Sequence, residues 1–278
     1  MSKTRIGLIQ MKMGTDSKKN LARALEMIDE ASRKGADIIC LPELFCSRYF
    51  PQYRGMPKVA EPIPGPITKA LSKSAKLNKV VLVGGSIYEK SQNKFYNTSV
   101  VFDQNGRILG KYQKVHIPFD PHYYEKDYFS SGTKYKAFDT KFGKVSVLIC
   151  FDQWYPEPAR ISRLMNAEML FYPTAIGTVK GVKQAEGNWQ EAWENVQCGH
   201  AIANSIVVCA VNRVGIEDDL NFWGGSFVID QFGKTLFRAG RKEGVFVVAC
   251  DLSLGRDVES GWGFIRNRKG GTYGGISD

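Results

Sequence analysis

A chain of 278 residues with 43% hydrophobic content can form one large domain or two small ones, and is apolar enough to close a full core. No run approaches the roughly 20 apolar residues that span a bilayer, and the opening Met1-Ser-Lys-Thr-Arg5 enters a strand-like run without a leader-type cleavage site, so a cytoplasmic protein with no membrane partner is expected. The 38 basic and 28 acidic residues give a net charge of +10, but the basic side chains are scattered, with Arg266-Asn-Arg-Lys269 the densest cluster, so a solvated basic surface is expected rather than a nucleic-acid partner.

The six cysteines contain no C-x-x-C pair, and Cys40, Cys150, Cys209 and Cys250 lie in apolar runs, as in a reduced interior. Among the three histidines, His116 and His122 flank the Pro118-Phe-Asp-Pro121 turn, so no metal site is expected. No linker or repeat divides the chain. A single domain over residues 1–278 is expected, its last ~25 residues a C-terminal extension that takes part in assembly.

In chain order, Arg5 to Met11 alternates into a strand, and Ser17 to Lys34 carries Leu21, Leu25, Ile28 and Ala31 at helical spacing, with Gly35 ending the helix. Ala36 to Leu41 reads as a buried strand that stops at Pro42-Glu43. A carboxylate directly beyond a core run is costly unless it has a partner or a task; a surface loop is the other reading. A turn over Pro62 to Pro66 leads to a helix from Ile67 to Leu77, then strands over Val80 to Gly85 and Tyr96 to Phe102. Asp103-Gln-Asn-Gly106 is a hairpin turn into Arg107 to Tyr112. Lys114 follows, at a strand end where lysines usually face solvent.

Pro118 to Gly132 is an aromatic-rich loop with Glu125 and Asp127 embedded in it, a composition suited to the wall of a small-molecule pocket. Strands over Phe138 to Phe142 and Val145 to Cys150 precede Phe151 to Glu157, which read as the first turn of a helix reaching Asn166. Further strands fall at Met169 to Pro173, Ile206 to Val211, Gly224 to Asp230 and Glu243 to Asp251, with a helix over Asn188 to Asn204 and a hairpin turn at Gln231 to Lys234. About ten to twelve mostly apolar strands and four or more helices imply an α/β protein in which two packed sheets lie between helix layers.

Glu43, Lys114 and Cys150 each end a separate core strand, and strand ends in layered α/β proteins converge on one edge. A thiol at a strand-to-helix junction feels the positive helix N-terminus, which favours thiolate, and the Phe151 N–H would face an oxygen on the attacked group. A carboxylate in a partly apolar pocket can take the thiol proton, and a fixed ammonium can hold the oxyanion. That combination is covalent acyl transfer from an amide-like carbonyl to water. The competing readings are a core cysteine that merely ends a strand, and a non-catalytic binding protein whose nucleic-acid affinity would fall steeply with salt.

At these residues the sequence resembles the nitrilase, or carbon–nitrogen hydrolase, superfamily, in Leu41-Pro-Glu43, Lys114-Val-His116 and Leu148-Ile-Cys150-Phe-Asp152 together, and nearly end to end. The resemblance implies a four-layer α-β-β-α sandwich that commonly forms homo-oligomers and needs no cofactor. It implies Glu43 as general base, Lys114 as oxyanion stabiliser, Cys150 as nucleophile, and Glu125 as a second glutamate beside them. Within the superfamily, Cys150 to Glu157, Phe171 to Gly177, Tyr124-Glu-Lys126 with Tyr128-Phe129, and Trp262-Gly263 resemble the branch that cleaves N-carbamoylputrescine to putrescine, ammonia and carbon dioxide. Phe151, Gln153, Trp154, Thr174 and Ala175 are then expected around a small ureido-amine substrate.

Three features depart from that branch: Phe151 stands where Trp is usual, Pro158 interrupts the helix pattern, and Thr178 to Gly187 does not align. Relatives acting on N-carbamoyl amino acids or β-ureidopropionate carry an arginine three residues after the cysteine, a fork that fits a carboxylate. Here Gln153 holds that position and Trp154 follows, a pair suited to an apolar or cationic chain, with Trp154 either facing an ammonium or packing. Asp152, Asp120 and Glu186 are candidate partners for the amine. β-Ureidopropionase and ω-amidase chemistry are the alternatives within the superfamily.

Overall fold

The computed structural model describes residues 3–55 and 59–276. The last two residues of the expected C-terminal extension therefore lie outside the described residues. The first strands are β1 (Thr4–Gln10), β2 (Ile38–Cys40), β3 (Val81–Val83), β4 (Ile87–Ser91), β5 (Lys94–Phe102) and β6 (Ile108–Gln113). There follow β7 (Ala137–Thr140), β8 (Gly143–Val147), β9 (Met169–Thr174), β10 (Gly177–Val179), β11 (Val207–Asn212) and β12 (Val214–Glu217). The last are β13 (Leu220–Trp223), β14 (Phe227–Ile229), β15 (Thr235–Arg238) and β16 (Gly244–Cys250). The helices are α1 (Ser17–Arg33), α2 (Pro66–Asn78), α3 (Pro156–Leu164), α4 (Trp189–Asn204) and α5 (Ser253–Gly261), none long and apolar enough to cross a membrane.

One seven-stranded sheet runs β16-β1-β2-β3-β5-β4, with β6 also paired to β5; a six-stranded sheet runs β15-β14-β11-β9-β8-β7; β10, β13 and β12 form a small third sheet. Period-2 alternation decides how the two large sheets meet. Ile6, Leu8, Ile38, Cys40, Val81 and Val83 of the first face Val145, Val147, Met169, Phe171, Val207 and Cys209 of the second in one buried cluster. The alternate residues Ile9, Ile39 and Leu82 turn outward beneath Met27 and Ile28 of α1 and Leu71 of α2. Leu170, Tyr172, Val208 and Ala210 do the same beneath Ala159 of α3 and Trp193 and Ala201 of α4. The result is the expected α-β-β-α sandwich.

The sequence reading missed five strands: β4, β10, β12, β13 and β15. They are short or polar, and tertiary pairing overrides weak local propensity. In β4 the polar Glu89 is buried, accepting hydrogen bonds from Lys111 Nζ, from Thr98 Oγ1 at 2.7 Å and from Gln113 Nε2 at 3.0 Å. A second correction concerns the strand expected over Val145 to Cys150. It ends at Val147, and Cys150 opens a 3-10 turn, Cys150–Trp154, well before α3 begins at Pro156.

Strands β1, β2 and β3 are mutually parallel, as are β8, β9 and β11. Their C-terminal ends deliver Glu43, Cys150 and Ala175 to one edge of the sandwich, and β6, antiparallel to β5, adds Lys114 there. Phe171 is fully buried in the cluster between the sheets. Phe171→Ala is expected to lower the unfolding free energy by about 3–5 kcal/mol, read as a shift in urea midpoint at unchanged slope.

Candidate active site

Lys114 sits at the centre, its side chain fully buried. Nζ donates to Glu43 Oε1 at 2.9 Å and to both oxygens of Glu125 at 2.8 and 2.7 Å. Burial works against its charge, but the carboxylates of Glu125 and Glu43 outweigh it and hold the amine protonated. Burial pushes the Glu125 carboxyl up to about 7, with Lys114 opposing and Glu43 adding to the rise. Asn97 Nδ2 donates to Glu43 Oε1 at 2.7 Å, and Tyr49 Oη to Glu125 Oε1 at 2.6 Å. Of the four carboxylate oxygens of Glu43 and Glu125, Glu43 Oε2 has no hydrogen-bond partner among the described residues.

Cys150 takes a φ of 42°, left-handed backbone that a non-glycine residue adopts only when its surroundings impose it. Asp152 does so: Oδ2 accepts Ile149 N–H at 2.8 Å and Tyr112 O–H at 2.7 Å, while Oδ1 accepts His116 N–H at 3.0 Å and meets His116 Nδ1 at 2.8 Å. Both oxygens are thereby engaged in the wall, which removes Asp152 from the candidates for a substrate amine. Tyr112 and His116 straddle Lys114 in sequence, so one carboxylate ties the lysine strand to the cysteine turn.

The expectation that a helix N-terminus lowers the thiol pKa is not met. Burial, followed by the charge of Glu43, raises the Cys150 thiol well above its ordinary value, with Lys114 pulling the other way. The short turn offers too little aligned backbone to compete.

A cavity of about 540 Å³ opens over the cysteine, lined by Cys150, Glu125, Phe151, Gln153, Trp154 and Ala175, with Asp120, Glu186, Tyr123 and Trp189 also on its walls. Five of the nine residues expected in the site, Glu125 with Phe151, Gln153, Trp154 and Ala175, thus share Cys150's cavity. Glu43 and Lys114 lie behind it, and Thr174 is buried, donating to Tyr172 O at 2.9 Å. Gln153 is held from the rear: Oε1 accepts from Trp193 Nε1 at 2.8 Å and Gln197 Nε2 at 3.3 Å. Among the described residues no three or more His, Cys, Asp or Glu side chains are grouped to hold a metal ion.

Sequence reasoning overlooked Asn97, Tyr49 and Trp189. For Asn97 the signal was there, a polar Asn97-Thr-Ser99 run inside an otherwise apolar strand; Tyr49 and Trp189 carried none, because only the fold brings them to the site.

A family model described as carbon-nitrogen hydrolase matches residues 5–259. The chain belongs to that family, the nitrilase superfamily, and is a hydrolase of carbon–nitrogen bonds. It is 37% identical to the N-carbamoylputrescine amidase of Solanum lycopersicum over 281 residues, covering 96% of this chain and 93% of that protein. It is 34% identical to the citrullinase of Francisella tularensis, covering 98% of each. Its fold superposes on a carbon-nitrogen hydrolase crystal structure from Helicobacter pylori G27 with a TM-score of 0.91 at 33% identity, covering 99% and 98% of the two chains.

Because Glu43 is the largest charged contributor raising the thiol, Glu43→Gln is expected to lower the Cys150 pKa. Thiolate absorbance near 240 nm, titrated against pH, should then rise at lower pH than in the parent protein. An unmoved curve would mean that Glu43 does not face the sulfur.

Proposed function

We propose that the chain hydrolyses N-carbamoylputrescine, a ureido group on an amine-terminated chain, to putrescine, ammonia and carbon dioxide. The observation that carries this reading is the charge of the cavity: Asp120, Glu125 and Glu186 line it among apolar and aromatic side chains, and among the described residues no lysine or arginine does. An ammonium-bearing substrate is drawn to such walls and a carboxylate-bearing one is repelled. Glu186 and Asp120 are the candidate ammonium partners. Trp189 Nε1 donates to Glu186 at 3.1 Å, which holds that carboxyl below its ordinary pKa and charged at neutral pH. The 37% identity to the tomato amidase supports the same substrate. Citrulline offers the same ureido head, but its α-carboxylate would meet these acids.

In this reading Cys150 Sγ attacks the ureido carbon as its proton passes to Glu43. The oxyanion develops against the Lys114 ammonium. Ammonia leaves with the proton from Glu43, giving a thiocarbamate. Water, deprotonated by Glu43, cleaves it, and the released carbamic acid decomposes to amine and carbon dioxide. Glu125 positions Lys114. Trp154 and Phe151 flank the chain, with the Gln153 amide behind them, Ala175 on the floor and the buried Thr174 beneath it, outside the cavity. Trp262, 63% exposed and stacked on Phe264 beside Phe232, supports a C-terminal segment used in homo-oligomer assembly.

Ammonia release from N-carbamoylputrescine should exceed that from citrulline, N-carbamoyl-β-alanine and glutaramate, and should vanish in Cys150→Ala; turnover surviving that substitution would end the mechanism. Asp120→Asn with Glu186→Gln should raise KM for the ureido-amine between about two- and tenfold, as for exposed ion pairs. Glu125 titrates near 7, and its protonation removes an acceptor from Lys114 and lets the ammonium settle on Glu43. kcat/KM should therefore fall as pH drops through about 7. Glu125→Gln should abolish that limb and be slow throughout.

A further inference from the structure

We infer that the buried Arg213–Glu217 pair is the positioning element for the two carboxylates around Lys114, setting Glu43 through its backbone and Glu125 through Tyr49. The inference rests on reading Glu43 as the general base. Arg213 lies between β11 and β12, fully buried, its guanidinium over the rings of Phe222 and Tyr49 at 5.1 and 5.8 Å. Nη1 donates to both oxygens of Glu217 at 2.7 and 2.9 Å. Nη2 donates to the carbonyls of Glu43 and Leu44, each at 2.9 Å, and of Ser47 at 3.2 Å.

The turn it grips needs gripping. Leu44, directly after the base, sits at φ 48°, where leucine is strained without outside support. Glu217 completes the other arm. It accepts Tyr49 N–H at 2.6 Å, and Tyr49 Oη reaches Glu125 at 2.6 Å. Each carboxylate beside Lys114 is thus one intermediary from the pair. A planar fork can serve five acceptor contacts at once, as an ammonium cannot. Buried ion pairs contribute little net stability against apolar residues of similar volume, so stability alone does not account for this one.

The test separates folding from positioning. Arg213→Met with Glu217→Met removes both charges at similar volume; because it also leaves the Glu43, Leu44 and Ser47 carbonyls and the Tyr49 N–H without their partners, the thermal midpoint is expected to fall, and the kinetics are read well below it. kcat should fall by about a hundredfold, the scale of a 1 Å misplacement, with KM little changed and the acid limb of kcat/KM displaced. The pH profile of Cys150 alkylation by iodoacetamide, followed by mass spectrometry, should shift with it. A folded double variant with parental kcat and alkylation profile overturns the inference. If the double variant does not fold, Arg213→Lys decides: it keeps the charge but lacks the fork, so the same loss supports the inference and parental kinetics overturn it. Failure of the hydrolase reading looks different, because the parent protein would then be silent on the whole substrate panel or active without Cys150, and the alkylation profile would still report the geometry.

Discussion

The site depends on one ammonium buried between two carboxylates. Lys114 stays charged where it lies because the carboxylates of Glu125 and Glu43 outweigh the cost of its burial, and its ammonium in turn opposes the rise that burial imposes on Glu125. The cluster carries a net charge of −1 when both acids are ionised. The thiol pKa is high first because Cys150 is buried, and then because ionising it outright would take the cluster to −2 beside Glu43. Passing the proton to Glu43 leaves the cluster charge unchanged. The arrangement therefore disfavours a resting thiolate and, in the proposed mechanism, favours proton transfer concerted with attack.

The fold's contribution is convergence. Period-2 burial packs two sheets face to face, and the shared direction of their parallel strands brings Glu43 and Cys150 from different sheets to one edge. Loops then finish the site. Asp152 clamps the cysteine turn to the strand that carries Lys114, and Arg213 clamps the glutamate turn from the opposite sheet. Strained backbone at both Cys150 and Leu44 marks where these clamps act. Specificity is a separate layer in the proposed function: the cavity acids Asp120 and Glu186 would bear on the far end of a substrate whose reacting end meets the buried cluster.

The sequence by itself determined the layered α/β class and most of the core strands and helices, and it marked Glu43, Lys114 and Cys150 as candidates for one site. Hydrophobic periodicity is a local signal, and unusual polar residues at the ends of core runs are visible without a structure. It did not determine the ionisation of Cys150. A junction read as a helix N-terminus became a short 3-10 turn, and the thiol answers to burial and to Glu43, 107 positions away in the chain. Nor could it separate Asp152 from Asp120 and Glu186. All three are acids near aromatic residues, but only the fold sends one into the wall and two to the cavity. Arg213 reaches the carbonyl of Glu43 across 170 residues. Such placements, like pKa values, are sums over neighbours drawn from distant segments, and only tertiary packing decides which neighbours those are.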